Sequence, residues 1–161
     1  MEAAQAIDQL IDFMTPKLGT LIHSGPWLQI DQQRIDAFAA VTGDEQWIHT
    51  DPQRARDESP YGTTIAHGYL TLSLLPFLTQ SNHPDYFSRN YPGMKMRVNY
   101  GLNKVRFPAP VKVNSEVRAL TTLASARALK DCVEVLYSIT VEIEGKNNPA
   151  CVAEFVARLY P

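Results

Sequence analysis

Hydrophobic residues recur with a helical period in the first half of the chain and with a strand period in the second. Between residues 2 and 14, Ala3, Ile7, Leu10, Ile11 and Met14 share one side of a 3.6-residue repeat. That pattern predicts a short amphipathic helix, ended by Pro16 and Gly19 and packed outside the main fold. WLQIDQQRIDAFAAVTG, from Trp27, passes from a strand-like piece into a second helix. Asp31 is placed to cap it, Ile35, Phe38 and Ala39 form its apolar stripe, and Gly43 stands where a left-handed residue stops a helix. DPQRARDE predicts another helix, with Asp51 as N-cap and Pro52 in the first turn, where a missing N–H costs nothing. The turn-rich stretch SPYGTTIAHG then leads into GYLTLSLLPFLTQ, which is apolar nearly all round and expected as a helix enclosed by protein.

From Met94 onward the period falls to two. MRVNYGLNKVRF, VKVNSEVRALTTLAS, CVEVLYSITVEIE and ACVAEFVARLY predict four strands. Val133, Val135, Tyr137, Ile139, Val141 and Ile143 alternate with Glu134, Ser138, Thr140, Glu142 and Glu144. In the last strand Cys151, Ala153, Phe155, Ala157 and Leu159 make the apolar face. Gly101 interrupts the first of the four and marks a bulge or a close backbone approach. Helices followed by antiparallel strands predict an α+β fold with the sheet wrapped around the apolar central helix. A chain of 161 residues is long enough for one core, so we expect a single domain over 1–161, with residues 1–19 as a helical extension.

Composition removes several classes. With 45% hydrophobic and 20% charged residues the chain is ordinary for a globular protein, which sets disordered and fibrous classes aside. A net charge of −2 with scattered basic residues leaves no footprint for a nucleic acid, although small anionic ligands still fit. No apolar run reaches the roughly 18 residues that span a bilayer. MEAAQAIDQLIDFM carries acids where a secretory signal has a basic segment. A cytoplasmic protein with no membrane partner is therefore expected. Cys132 and Cys151 lack CxxC spacing and lie in apolar strand-like runs, so they read as reduced thiols, and no metal site is indicated.

The chemistry concentrates in GDEQWIH, residues 43–49. A helix C-terminus carries partial negative charge, so a carboxylate at Asp44, just past Gly43, breaks a local rule, and such breaks tend to fall at functional sites. Singly, Asp44 also reads as a solvated loop residue and His49 as an aid in capping the next helix. Five residues on a continuous helix would put their side chains roughly 140° apart, so the two converge only if 44–49 is an irregular loop. Trp47 and Ile48 are too apolar for a fully exposed turn, which predicts a partly buried loop that Trp47 helps to dry and an acid–base pair within it. In AHGYL, residues 66–70, Gly68 opens the apolar helix, whose first N–H groups are unpaired donors able to hold an oxyanion. His67, at the same positive helix end, is better suited to orienting the loop than to serving as a second base.

FAAVTGDEQWIHTDPQRA, beginning at Phe38, resembles the hydratase-2 motif of MaoC-like (R)-specific enoyl-CoA hydratases, in which a histidine follows an aspartate by five residues. TTIAHGYLTLSLLP, from Thr63, resembles that family's loop and central helix. NYGLNKVRFPAPV, from Asn99, resembles the next strand in its nodulation-protein-N-like branch. Together the segments extend the resemblance over roughly residues 20–160. The resemblance implies a hot-dog fold working as a homodimer. It also implies Asp44 and His49 as the catalytic pair and the Gly68 N–H as donor to a thioester carbonyl. Two departures stand out: Gln46-Trp47 replaces the motif's usual Asn-Pro, and Pro76 stands where some members place an active-site serine.

The implied reaction is reversible syn hydration of trans-2-enoyl-CoA to the (R)-3-hydroxyacyl-CoA, with the coenzyme A thioester as substrate and no cofactor. Expected substrate contacts are Trp47 and His67 at the pocket and Tyr69, Leu72 and Leu75 at the end of an acyl tunnel; the outward-facing Lys104 and Arg106 are candidates for the phosphates of coenzyme A and read equally as a solvated strand face. A hot-dog acyl-CoA thioesterase and a non-catalytic acyl-binding subunit are the rival readings, because a fold does not fix its chemistry.

Overall fold

The computed structural model describes residues 2–81, 83, 85–86, 91 and 93–161. Helix α1 (Glu2–Met14) forms on the predicted stripe, with Ile7, Leu10 and Met14 buried and Ile11 partly so; the Ala3 side chain lies outside the described residues. The helix does not pack outside the main fold. Its stripe joins the principal core against the sheet. A single 13-residue helix is marginal in water, and each large apolar side chain contributes about 1.5–3 kcal/mol when buried, so sheet contact is what holds this helix.

Two short strands follow, β1 (Leu21–Ser24) and β2 (Leu28–Ile30). β1 was not expected, since LIHS is too short and too polar on one side to show alternation. Helix α2 (Gln32–Thr42) is bounded as predicted: the Asp31 carboxylate accepts from the Arg34 N–H at 2.8 Å, and Gly43, at φ +77°, donates its N–H to the Ala39 carbonyl. Residues 44–46 form the only irregular part of the expected loop. The remainder is one helical turn, α3 (Trp47–Thr50), followed by α4 (Pro52–Glu58) with Asp51 as its cap.

The apolar segment forms α5 (Gly68–Ser73) and α6 (Leu75–Leu78), separated at Leu74, where a single helix was expected. Pro76 supplies the reason: it has no N–H to donate to residue 72, and its ring crowds that carbonyl. Leu70, Leu75 and Leu78 point into the core. The expected full enclosure is not achieved within one chain, because Tyr69 and Phe77 stay 68% and 58% exposed.

Strands β3 (Met96–Arg106), β4 (Ser115–Ala128), β5 (Val133–Ile143) and β6 (Cys151–Tyr160) complete an antiparallel sheet in the order β1-β4-β5-β6-β3, with β2 also paired to β4. The alternation of β5 and β6 is realised: every residue predicted for their apolar faces is buried. β4 begins later than its period suggested, because Asn114 turns the chain at φ +67°, a left-handed conformation that Asn accepts better than most residues. The β3–β6 register slips between Asn99 and Gly101, the bulge anticipated at Gly101. β3 is the exposed edge, with Met96, Val98, Tyr100 and Leu102 all open to solvent. Among the described residues, no helix is long and apolar enough to cross a membrane.

Leu10 tests the integration of α1. At 1% exposure within the main core, Leu10→Ala is expected to cost about 2–5 kcal/mol in urea unfolding. A peripheral helix would lose less than about 0.5 kcal/mol, the usual range for surface changes.

Candidate active site

Two segments far apart in sequence, 44–50 and 64–68, are laced together. The Ile65 N–H donates to the Ile48 carbonyl at 3.1 Å, and His49 Nδ1 lies 2.7 Å from the Ile65 carbonyl. A carbonyl only accepts, so Nδ1 carries the proton and Nε2 of the neutral ring keeps its lone pair. His67 Nε2 donates in the same way to the Asp44 backbone carbonyl at 2.8 Å. The two imidazoles stack at 3.7 Å between centroids and 27° between planes, with Phe38 against the far side of His67.

The site is graded from dry to wet. His49 and His67 are 7% and 2% exposed, whereas the Asp44 side chain is 52% exposed. The partly buried loop anticipated from Trp47 and Ile48 thus exists only at its C-terminal half; Asp44, Glu45 and Gln46 are open. Burial lowers the His49 pKa below its ordinary value; the Ile65 hydrogen bond opposes this, the neighbouring His67 reinforces it, and Asp44 opposes it weakly. At neutral pH His49 is therefore an uncharged base with its Nε2 lone pair free.

Asp44, His49 and His67 each place one ligand-type atom within 4.8 Å of the others. Stacked imidazoles do not suit a shared metal ion, because a ring nitrogen binds in its ring plane and two stacked rings with centroids 3.7 Å and planes 27° apart direct their lone pairs side by side. His67 Nε2 is also committed to the Asp44 carbonyl, and its buried Nδ1 has no partner.

Gly68 opens α5 beside His49, and both line one cavity of about 310 Å³ with Tyr61, Thr71, Phe107 and Val111. The Phe107 ring explains the glycine: a Cβ at position 68 would meet its Cδ2 at 2.7 Å. No described hydrogen bond uses the Gly68 N–H, as expected for the first residue of a helix. Further along α5, a second cavity of about 400 Å³ is lined by Leu72, Leu75, Pro76, Asn99, Leu102 and Phe155.

The remaining predicted contacts separate. Leu72 and Leu75 face this second cavity, but Tyr69 points outward, its ring edge-on to Phe107 at 6.0 Å. Trp47 lies under the Arg54 guanidinium at 4.4 Å and lines neither cavity. Lys104 and Arg106 do face outward; Lys104 pairs with Glu154 at 2.9 Å, and Arg106 donates to the Val105 carbonyl. Sequence reasoning missed Gln32. Its Nε2 donates to the His49 carbonyl at 2.7 Å and to Asp36 at 2.8 Å, while its Oε1 accepts from the Thr64 hydroxyl at 2.5 Å. Phe107 was also missed. Neither residue carries a local signal, since each acts across more than 16 positions of chain.

A family model described as MaoC like domain matches residues 14–143. The 3-hydroxyacyl-thioester dehydratase Z of Mycobacterium tuberculosis is 49% identical over 141 residues, covering 87% of this chain and 89% of that protein. Nodulation protein N of Rhizobium leguminosarum bv. viciae is 42% identical over 87% of this chain and 84% of its own length. Among solved structures, the (R)-hydratase from A. caviae involved in PHA biosynthesis is similar with a TM-score of 0.64 at 24% identity, over 86% of this chain and 96% of that one. That likeness establishes the hot-dog fold, an antiparallel sheet around a central helical segment.

The lowered His49 pKa has a thermodynamic consequence. Below pH 6.5 the unfolded chain binds a proton that the folded site resists, so the stability from neutral His49 is complete above 6.5 and lost as pH falls through the folded pKa. Tm is therefore expected to drop from pH 7.5 to 5, with a shallower slope in His49→Gln. Part of the slope remains in that variant, because burial lowers the His23 pKa as well. Equal slopes in the two proteins would show that His49 titrates freely.

Proposed function

Because the chain belongs to the MaoC-like domain family and is a hydratase or dehydratase, we propose that it catalyses the reversible syn hydration of a trans-2-enoyl-CoA to the (R)-3-hydroxyacyl-CoA. The observation that carries this reading is the set of three groups around one end of α5: a buried imidazole with a free Nε2, a carboxylate beside it, and the unpaired Gly68 N–H in the same cavity as the imidazole.

Each group has a role that follows from its setting. His49 Nε2 and the Asp44 carboxylate grip one water. Its oxygen bonds to C3 as one proton passes to the pair, and the π electrons move toward the thioester oxygen. The pair then returns a proton to C2 on the same face, so H and OH add across one side of the double bond. The Gly68 N–H receives the charge developing on the thioester oxygen, an interaction of about 2.7–4 kcal/mol in comparable oxyanion sites. The acyl chain runs along α5 into the cavity at Leu72 and Leu75. No cofactor enters these steps. A thioesterase would release free thiol instead, so a thiol reagent read beside the loss of enoyl absorbance separates the two activities, and crotonyl-CoA left unchanged would indicate a binding subunit.

A homodimer belongs to the same reading. One chain leaves the β3 edge unpaired, with Val98, Tyr100 and Leu102 exposed, and leaves Tyr69 and Phe77 of the helical segment in water. Edges of this kind pair readily, and a two-fold copy covers both surfaces at once. Sedimentation at micromolar concentration is expected to give a dimer, and Val98→Lys to shift it toward monomer. A wild-type protein that stays monomeric would count against the dimer.

Asp44→Asn cannot accept the proton, and His49→Ala removes the imidazole. Each is expected to cut kcat by at least about 10²-fold with folding intact by circular dichroism. If the two residues hold one water, the double variant is little worse than the poorer single one. Near-normal hydration by a folded Asp44→Asn protein would remove the pair from the mechanism.

A further inference from the structure

The concave side of the sheet carries a cation. Arg97 pairs across β3–β6 with Leu159, and Asn99 with Ala157. Directly opposed residues of an antiparallel pair share a face, and Leu159 and Ala157 are fully buried, so Arg97 and Asn99 face inward. A guanidinium directed into a protein is costly unless it is paired. None of the ion pairs among the described residues includes Arg97. Two of its partners among the described residues are neutral: the Ser81 hydroxyl accepts from Nη1 at 2.7 Å, and the Phe155 ring lies 5.1 Å below the guanidinium carbon.

Around Arg97 the interior is rich in hydroxyl groups. Tyr91 and Tyr137 join oxygen to oxygen at 2.7 Å. Burial raises the pKa of both phenols, that of Tyr137 to about 12, and the Arg97 charge opposes the rise in each, so the cation acts on this cluster directly. Thr121, 4% exposed, has a hydroxyl without a partner. Arg97, Ser81, Thr121 and Tyr137 enclose a void of about 10 Å³, about the space of one water. Core polar groups are normally satisfied; a buried hydroxyl and an unpaired cation facing one void make a site arranged for an acceptor.

Phe155 connects this cluster to the acyl site. It lines the 400 Å³ cavity with Leu72 and Leu75, carries Arg97 over its ring, and stacks on Tyr137 at 6.5 Å. One aromatic ring thus separates an apolar channel from a positively charged, hydroxyl-lined end. We propose that this end reads the far terminus of the acyl chain, and that the enzyme's substrates are enoyl thioesters bearing a terminal carboxylate, which Arg97 binds once the Phe155 ring turns aside. Both oxygens of a carboxylate accept hydrogen bonds, which the guanidinium and the Thr121 and Tyr137 hydroxyls can donate. The proposal rests on the hydratase reading above for the orientation of the chain.

Two sets of thioesters test it. For trans-2-enoyl-CoA substrates of six to ten carbons, with and without a terminal carboxylate, kcat/KM is compared in wild type, Arg97→Met and Tyr137→Phe. At one chain length the carboxylate form is expected to be favoured by about tenfold or more, as for a charge-assisted, partly desolvated contact. Arg97→Met should abolish that preference while leaving the plain alkyl substrate within about twofold, and Tyr137→Phe should reduce it in part. The corresponding saturated CoA thioesters, whose Kd is measured by calorimetry, report the same preference without turnover. A protein that binds the saturated carboxylate form selectively but hydrates nothing refutes the hydratase reading and keeps the site. Preference for plain alkyl chains at every length, or an unchanged preference in folded Arg97→Met, overturns the proposal. If Arg97→Met does not fold, the wild-type comparison and Tyr137→Phe decide it.

Discussion

The buried hydrogen bond from His49 Nδ1 to the Ile65 carbonyl is the contact on which the site depends. It fixes the tautomer, so that Nε2 is the acceptor, and it ties α3 to the segment that delivers Gly68 to the start of α5. The same lacing holds the Asp44 backbone through His67, and Gln32 secures it from the side of α2. Desolvation then keeps His49 uncharged near neutral pH. Position, tautomer and basicity are thus consequences of one close approach between segments 16 residues apart.

In the proposed reaction the grading from dry to wet across the site would serve the chemistry. A buried imidazole is a usable base at neutral pH because its charged form is disfavoured, whereas a half-exposed carboxylate stays hydrated and close to the solvent from which water must enter. Gly68 closes the arrangement from the other side. Phe107 lies so near that a Cβ at this position would meet its ring at 2.7 Å, and no described hydrogen bond uses the N–H at the helix start.

A single chain leaves part of its fold open, and the openness has one physical origin. A sheet that curls around a short helical segment covers one side of that segment, so Tyr69 and Phe77 remain outside, and among the described residues β3 ends the sheet without a neighbour. The inward face of β3 departs from the apolar pattern of β5 and β6 by carrying Arg97 and Asn99. Asn99 lines the cavity along α5, whereas Arg97 lies over the Phe155 ring and faces a separate small void.

By itself the sequence determined the elements whose causes are local. Asp31 and Gly43 bound α2, Asp51 starts α4, and the period-two runs of β5 and β6 set which side chains are buried, because caps and alternation act within a few residues. Asp44, His49 and Gly68 were marked by resemblance to a motif of the MaoC-like family, and the fold places all three near one end of α5. Tertiary structure decided the rest. The apolar stripe of α1 required a partner, and only the folded sheet supplied it; Pro76 broke an apolar run that hydropathy alone reads as continuous. Gln32, Phe107 and Arg97 gained their roles from neighbours 16 or more positions away, through hydrogen bonds, ring packing and a shared sheet face. Interactions of that range depend on where the chain returns in space, which the folded backbone fixes and no window of sequence contains.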